Sequence, residues 1–220
     1  PRTMRRSTLF RWGLVVLAAA AMGAAGTYQF VWSSIRGPLG AQVGASEAAL
    51  GTAFTLFAVA QTLGQFPAGW FRDRHGPRVP LLVGGLLVAG GYAGLGLAGS
   101  VLEMYLFFGL GSLGGGFVYT VAVNTPVKWL TKRRGLGTGL VTMAFSAASV
   151  PFIPFVRGGI ESAFAETLVV LGVATGLACL IGVPFLRDPT GAEMEAVHDD
   201  DATGMEGAYT WRETVRTWQF

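Results

Sequence analysis

The 220 residues contain one cysteine, Cys179, set in an apolar run with no partner, so neither a disulfide framework nor a cysteine metal site can form within one chain. Histidine is almost as scarce. His75 and His198 both fall in polar segments, where a solvated ring is the ordinary reading and a metal ligand is not. Charge is sparse as well, at 13% of residues against 51% hydrophobic and 33 glycines, a composition too apolar and too glycine-rich for an ordinary water-soluble domain. The net charge of +3 does not point to nucleic acid, because the basic residues sit in short clusters between uncharged apolar runs and form no binding stripe.

What the sequence does have is length without charge. A helix needs about 20 apolar residues to cross ~30 Å of hydrocarbon. Six stretches qualify, at about 12–35, 50–70, 79–99, 102–126, 136–156 and 164–186, and none contains lysine, arginine or aspartate. The expected fold class is an all-α membrane protein with six transmembrane helices. The first run is too long for a signal peptide and lacks a clear cleavage site, so it reads as a retained helix, while the start at Pro1 reads as a trimmed terminus.

Lysine and arginine are held on the cytoplasmic side during insertion. Fourteen of the sixteen cations fall before the first span or after the second, fourth and sixth, leaving Arg36 and Arg157 for the opposite side. A cell-membrane protein with both termini cytoplasmic is expected. Beyond Arg187 the composition turns acidic, with Asp188, Glu193, Glu195 and Asp199 to Asp201, and the 188–220 segment reads as a solvated cytoplasmic linker after a bundle at 1–187.

Several motifs ask for more than topology. Between the second and third spans runs Gly69-Trp70-Phe71-Arg72-Asp73-Arg74-His75-Gly76-Pro77-Arg78. Turn geometry explains Gly76 and Pro77, and topology explains the arginines, but Asp73 is left over. In the fourth span the glycines from Gly109 to Gly116 permit close helix packing, whereas Tyr119, Asn124 and Thr125 need partners or a wet cavity. Tyr28 and Trp32 in the first span are either interfacial anchors or interior residues. Gln61 and Gln65, four apart on one face of the second span, mark either a polar pathway or helix-to-helix glue.

The loop from Gly69 resembles that of the major facilitator superfamily, a glycine followed by Asp-Arg-x-Gly and further basic residues. The order of Gln29-Phe30-Val31-Trp32, Asn124-Thr125-Pro126, Lys132-Arg133-Arg134-Gly135-Leu136, Pro151-Phe152-Ile153-Pro154 and Arg216-Thr217-Trp218-Gln219-Phe220 is similar to the oxalate/formate antiporter family, near the monocarboxylate transporters. These are twelve-span carriers, so the resemblance implies an N-terminal six-helix half whose partner is a second six-helix half.

It further implies that Gln29, Phe30, Tyr119 and Phe145 face a substrate cavity, with Gln61 and Gln65 nearby. Gly69 would let helices approach, and Asp73, Arg74, Gly76 and Arg78 would form a gating loop and charge latch. Pro77 departs from the family's basic pattern, which implies a weaker latch. Phe30 and Phe145 stand where relatives often have tyrosine, which favours a less polar carboxylate than oxalate. The implied partners are a small organic anion, the lipid bilayer and the missing half, with no nucleic acid. No cofactor is expected, since Gly114 to Gly116 lack the strand context of a phosphate loop and no metal cluster or catalytic triad is present. An enzyme would need ionisable groups inside the spans. The alternative function is a non-transporting six-span receptor or scaffold that reuses a carrier half.

Overall fold

The computed structural model of the protein describes residues 2–130, 133–191 and 193, with side chains from residue 8 onward. Expectations that rest on Lys132, Glu195, His198, Asp199 to Asp201, Arg212 and the stretch from Arg216 to Phe220 lie outside the described residues. Among the described residues there are eight helices: α1 Arg2–Phe30, α2 Trp32–Val43, α3 Glu47–His75, α4 Arg78–Leu97, α5 Val101–Trp129, α6 Arg134–Ala147, α7 Ser149–Ser162 and α8 Phe164–Gly182. These are the six expected segments, two of them broken.

Each break has a local cause. At the first, the Ser34 N–H bonds to the Val31 carbonyl at 2.8 Å, and the carbonyl of Phe30 accepts from Ser33 Oγ at 3.2 Å. A serine side chain thus competes with the helix for its own backbone. At the second, Pro151 has no N–H to offer the Ala147 carbonyl and its ring crowds that oxygen, so α6 ends there and α7 begins at Ser149. The N-termini of α3 and α5 are capped by side chains. Ser46 Oγ accepts from the Ala49 N–H at 3.2 Å, Ser100 Oγ accepts from the Glu103 N–H at 3.3 Å, and Glu103 Oε2 accepts from the Gly99 N–H at 2.7 Å. Gly76, at φ 76°, closes α3 in a backbone conformation that suits glycine, and Pro77 leads straight into α4.

Several helices outrun the expected spans. The first segment continues through α2 to Val43, which places Arg36 on a helix, and the fifth continues through α7 to Ser162, which does the same for Arg157. Among the described residues, five segments are long and apolar enough to cross a membrane: Thr8–Phe30, Arg78–Leu97, Val101–Trp129, Arg134–Ser162 and Phe164–Gly182. The remaining helix, α3, has the length at 29 residues but is less apolar, because Gln61, Gln65 and several threonines interrupt it.

In the bundle, α5 packs against α3 and α4, α4 against α8, and α1 against α5, α6 and α8. Small residues set the spacing. A methyl group on Gly111 would fall on the ring of Tyr28, and one on Gly64 would come within 2.7 Å of the Leu113 carbonyl. Two core clusters stack along the axis. One gathers Tyr28, Trp32, Leu39, Phe57, Tyr92 and Phe108, the other Leu14, Met22, Leu81, Val121 and Trp129. Outside, Phe66, Leu86, Leu106, Val173 and Ile181 are exposed, an apolar coat suited to lipid. Tyr28 and Trp32 belong to the first core cluster, and the Tyr28 hydroxyl donates to the Phe107 carbonyl at 2.9 Å. The interior reading therefore holds for both, and the interfacial-anchor reading does not.

Candidate functional site

Helix α1 brings Gly26 against the backbone of Phe145 on α6, where a side chain would not fit, and Phe30 follows four residues later on the same face. The rings of Phe30 and Phe145 meet edge to face at 5.5 Å, and Phe145 meets Tyr119 of α5 at 6.0 Å in the same way. The structure thus brings three of the six candidate lining residues into one aromatic arc.

A cavity of about 500 Å³ opens beside this arc between α1, α2 and α3, and its walls include Gln29, Phe30, Ser33, Arg36, Glu47 and Phe54. Helical spacing gives it two facing stripes: Gln29, Ser33 and Arg36 on one side, Glu47, Gly51 and Phe54 on the other. The second stripe continues along α3, since Gln61 and Gln65 lie seven and eleven residues beyond Phe54. Tyr119, Phe145, Gln61 and Gln65 do not line that cavity. Gln61 instead packs on α5, its Nε2 3.4 Å from where a methyl on Gly115 would stand, one turn from Tyr119.

All six candidates are half-buried. Among the described residues, the side chains of Gln29, Gln61, Gln65 and Tyr119 have no hydrogen-bond partner. Their neighbours do. Thr27 and Tyr92 share a hydrogen bond at 2.9 Å, Ser112 donates to the Phe108 carbonyl at 2.5 Å, Asn124 Nδ2 to the Thr120 carbonyl at 2.8 Å, and Thr125 to the Val121 carbonyl at 2.9 Å. Asn124 and Thr125 are thereby spent on their own helix. The four groups are half-buried, and with no side chain or carbonyl of the bundle taking them up they are open to a ligand.

The opposite end of the bundle carries the basic clusters. Asp73 is exposed and makes no ion pair among the described residues, Arg74 lies over the Trp70 ring at 4.3 Å, and Arg78 Nη2 donates to the Pro184 carbonyl at 3.1 Å. Gly69 has nothing within 4 Å of the place a methyl would occupy. The ion network centres on residues the motif reading passed over. Arg72 is only 2% exposed and donates to Asp188 Oδ1 at 3.2 Å, while Lys128 Nζ reaches Asp188 Oδ2 at 2.5 Å. Burial pulls the Arg72 guanidinium below its ordinary pKa, and the nearby carboxylates of Asp188 and Asp73 oppose that pull.

Next door, both terminal nitrogens of Arg187 pair with Glu193 at 2.7 Å, and Trp129 Nε1 donates to the Arg187 carbonyl at 2.8 Å. Hydrogen bonds from Arg187, together with the Thr190 N–H, hold the Glu193 carboxyl down at about 2, and the same pairing raises Arg187. Asp188 and Glu193, the first described acids of the run expected to be a solvated linker, are thus each paired with a cation while staying about a third exposed. Composition hid them, since the first acid after the last span is a local signal inside an otherwise solvent-like segment.

Residues 14–217 match the model of the Major Facilitator Superfamily. The chain is 34% identical over 168 residues to the oxalate:formate antiporter of Oxalobacter formigenes, covering 74% of this chain and 40% of that protein. It is 34% identical over 160 residues to an uncharacterized 38 kDa protein of Thermoproteus tenax, covering 71% and 43%, and 27% identical over 188 residues to a probable sulfoacetate transporter of Cupriavidus necator, covering 80% and 44%. The chain thus spans less than half the length of the curated relatives it matches.

Proposed function

The chain belongs to the Major Facilitator Superfamily, and on that premise we propose that it forms the N-terminal six-helix half of a secondary carrier for small carboxylates. The resemblance to oxalate/formate antiporters read from the motifs agrees with the 34% identity to one such protein, and two of the relatives carry transporter names for organic anions. The observation that carries the reading is the set of four half-buried polar side chains, Gln29, Gln61, Gln65 and Tyr119, left without partners in a bundle that satisfies their neighbours.

In this reading the carrier works by alternating access, with two six-helix bundles rocking about a site between them. Phe30, Phe145 and Tyr119 shape an aromatic wall, and Tyr119 and the glutamines donate neutral hydrogen bonds to the anion. Asp73, Arg74 and Arg78, near Gly69 and Gly76, face the second half as a latch on the cytoplasmic side, where both termini lie. A desolvated carboxylate needs a compensating charge, and the six candidate lining residues supply none, so the second half provides it.

Uptake of labelled formate, acetate, oxalate and sulfoacetate into proteoliposomes tests the reading, comparing this chain alone with the chain extended by the second half. Saturable uptake is expected only from the extended protein. Uptake by neither removes the transport reading, and uptake by the 220-residue chain alone replaces the two-half carrier with a self-assembled one.

A further inference from the structure

The cavity beside Gln29 has a cation at its mouth that nothing in the transport reading uses. Arg36 sits on α2, outside the run expected to cross the membrane, and its side chain is 48% exposed. Its described bond is a single one, from Nη2 to Glu47 Oε2 at 2.6 Å, across the gap between the two facing stripes. Both residues line the cavity.

Three observations make this pair more than a surface ion pair. First, α2 is a fixed platform: Ile35 and Leu39 are buried in the core, and Gln42 Nε2 bonds to the Ala98 carbonyl at 2.7 Å, so Arg36 is held over the cavity rather than swung on a loop. Second, the guanidinium fork is half used, since a carboxylate that takes two of its nitrogens side by side makes a better pair than one oxygen on one nitrogen. Third, Glu47 lies in the first turn of α3, where the positive end of the helix stabilises its charge without Arg36. Releasing Glu47 therefore costs little, because an exposed pair is weak to begin with.

We propose that Arg36 is an anion-capture site at the mouth of the cavity, with Glu47 as a resident counter-ion that an incoming small carboxylate displaces. The captured anion then faces Ser33 and Gln29, spaced three and seven residues away on the same helical stripe and leading toward the aromatic arc. No bond is made or broken in the exchange. One carboxylate replaces another on the guanidinium, and Glu47 turns to solvent. The inference rests on the carboxylate reading for the identity of the anion but places a site that reading does not contain.

Ser33 provides a reporter inside the cavity, and Cys179, the one native thiol, is fully buried. In lipid nanodiscs, the variant Ser33→Cys is reacted with an anionic and with a neutral methanethiosulfonate. Glu47→Gln added to it should raise the anionic-to-neutral rate ratio several-fold, and Arg36→Gln should abolish that gain. Millimolar formate or oxalate should slow the anionic reaction several-fold when Arg36 is present and not in Arg36→Gln, with chloride at equal ionic strength as the reference. An unchanged ratio in Glu47→Gln, or carboxylate protection that survives Arg36→Gln, overturns the capture site. Arg36-dependent protection in a protein that shows no carboxylate flux with its second half removes the transport reading and keeps this site. Flux without such protection does the reverse.

Discussion

Asp188→Asn removes one charge from the place where three helices end together. In the native protein the Asp188 carboxylate bonds Arg72 at 3.2 Å and Lys128 at 2.5 Å. Arg72 is 2% exposed, so its guanidinium cannot recover its lost partner from water, and its Nε already lacks a hydrogen-bond partner. Breaking a buried ion pair from one side costs about 3–5 kcal/mol. Asp188 and Lys128 are 31% and 30% exposed, and asparagine keeps one acceptor oxygen, so the expected loss is discounted to about 2 kcal/mol. At roughly 2–4 °C per kcal/mol for a chain of this size, the melting temperature should fall by about 4–8 °C.

The fully buried Cys179 offers the assay, since a thiol-reactive fluorophore reports unfolding in detergent from a single site. Lys128→Gln should cost less, because Lys128 leaves no buried charge behind. Combining Arg72→Met with Asp188→Asn should recover part of the loss, as removing both partners spares the stranded cation. A melting temperature for Asp188→Asn within a degree of the native protein, or a larger effect from Lys128→Gln, refutes the account.

Gly111→Ala should destabilise by about 1–3 kcal/mol through overpacking on the Tyr28 ring, whereas Gly109→Ala, with nothing within 4 Å, should not; the Cys179 melt separates them. Tyr119→Phe in the complete carrier should weaken carboxylate affinity by on the order of 1 kcal/mol while leaving the melt unchanged, because the hydroxyl has no intramolecular partner to lose. Glu193 has its carboxyl depressed from about 4.5 to about 2, so its contribution is fully present above about 4.5 and is lost as pH falls toward 2. Exchange of the Thr190 amide, which bonds Glu193 Oε2 at 2.9 Å, should speed up across that window after correction for intrinsic rates, and Glu193→Gln should abolish the dependence. Single cysteines at Gly76 and Gly44 should differ in labelling by an impermeant reagent, with Gly44 reached from outside intact cells; labelling of Gly76 from outside would invert the topology.

Hydropathy located the helices because lipid exposure and core packing both demand apolar residues over the same length, and no other requirement disturbs the pattern in α4, α5 or α8. The turn at Gly76-Pro77 was equally legible, since its chemistry is local. The breaks at Val31 and Ala148 were not. Ser33 and Pro151 are visible in the sequence, yet whether a serine or proline interrupts a membrane helix or merely bends it depends on neighbours that replace the lost backbone bonds. Gln61 and Gln65 could be placed on a shared face, but whether they bond across the bundle was undecidable until α5 presented glycines opposite Gln61 in place of a partner. The pairing of Asp188 was not legible because its partners, Arg72 and Lys128, lie 116 and 60 residues away, a separation no local pattern reports.

The two interruptions lie on neighbouring helices, offset by about two turns. A methyl on Gly23 of α1 would approach Ala148 Cβ at 2.7 Å, so the residue at the α6–α7 junction touches α1 two turns before its own junction at Val31. Beyond the junctions, α2 contacts α7 as α1 contacts α6. The protein therefore contains two jointed rods laid against each other, each with a segment on either side of its joint, while α3, α4, α5 and α8 run uninterrupted. The aromatic arc of Phe30 and Phe145 bridges that pair one and three residues from its joints, where a change of angle displaces it least.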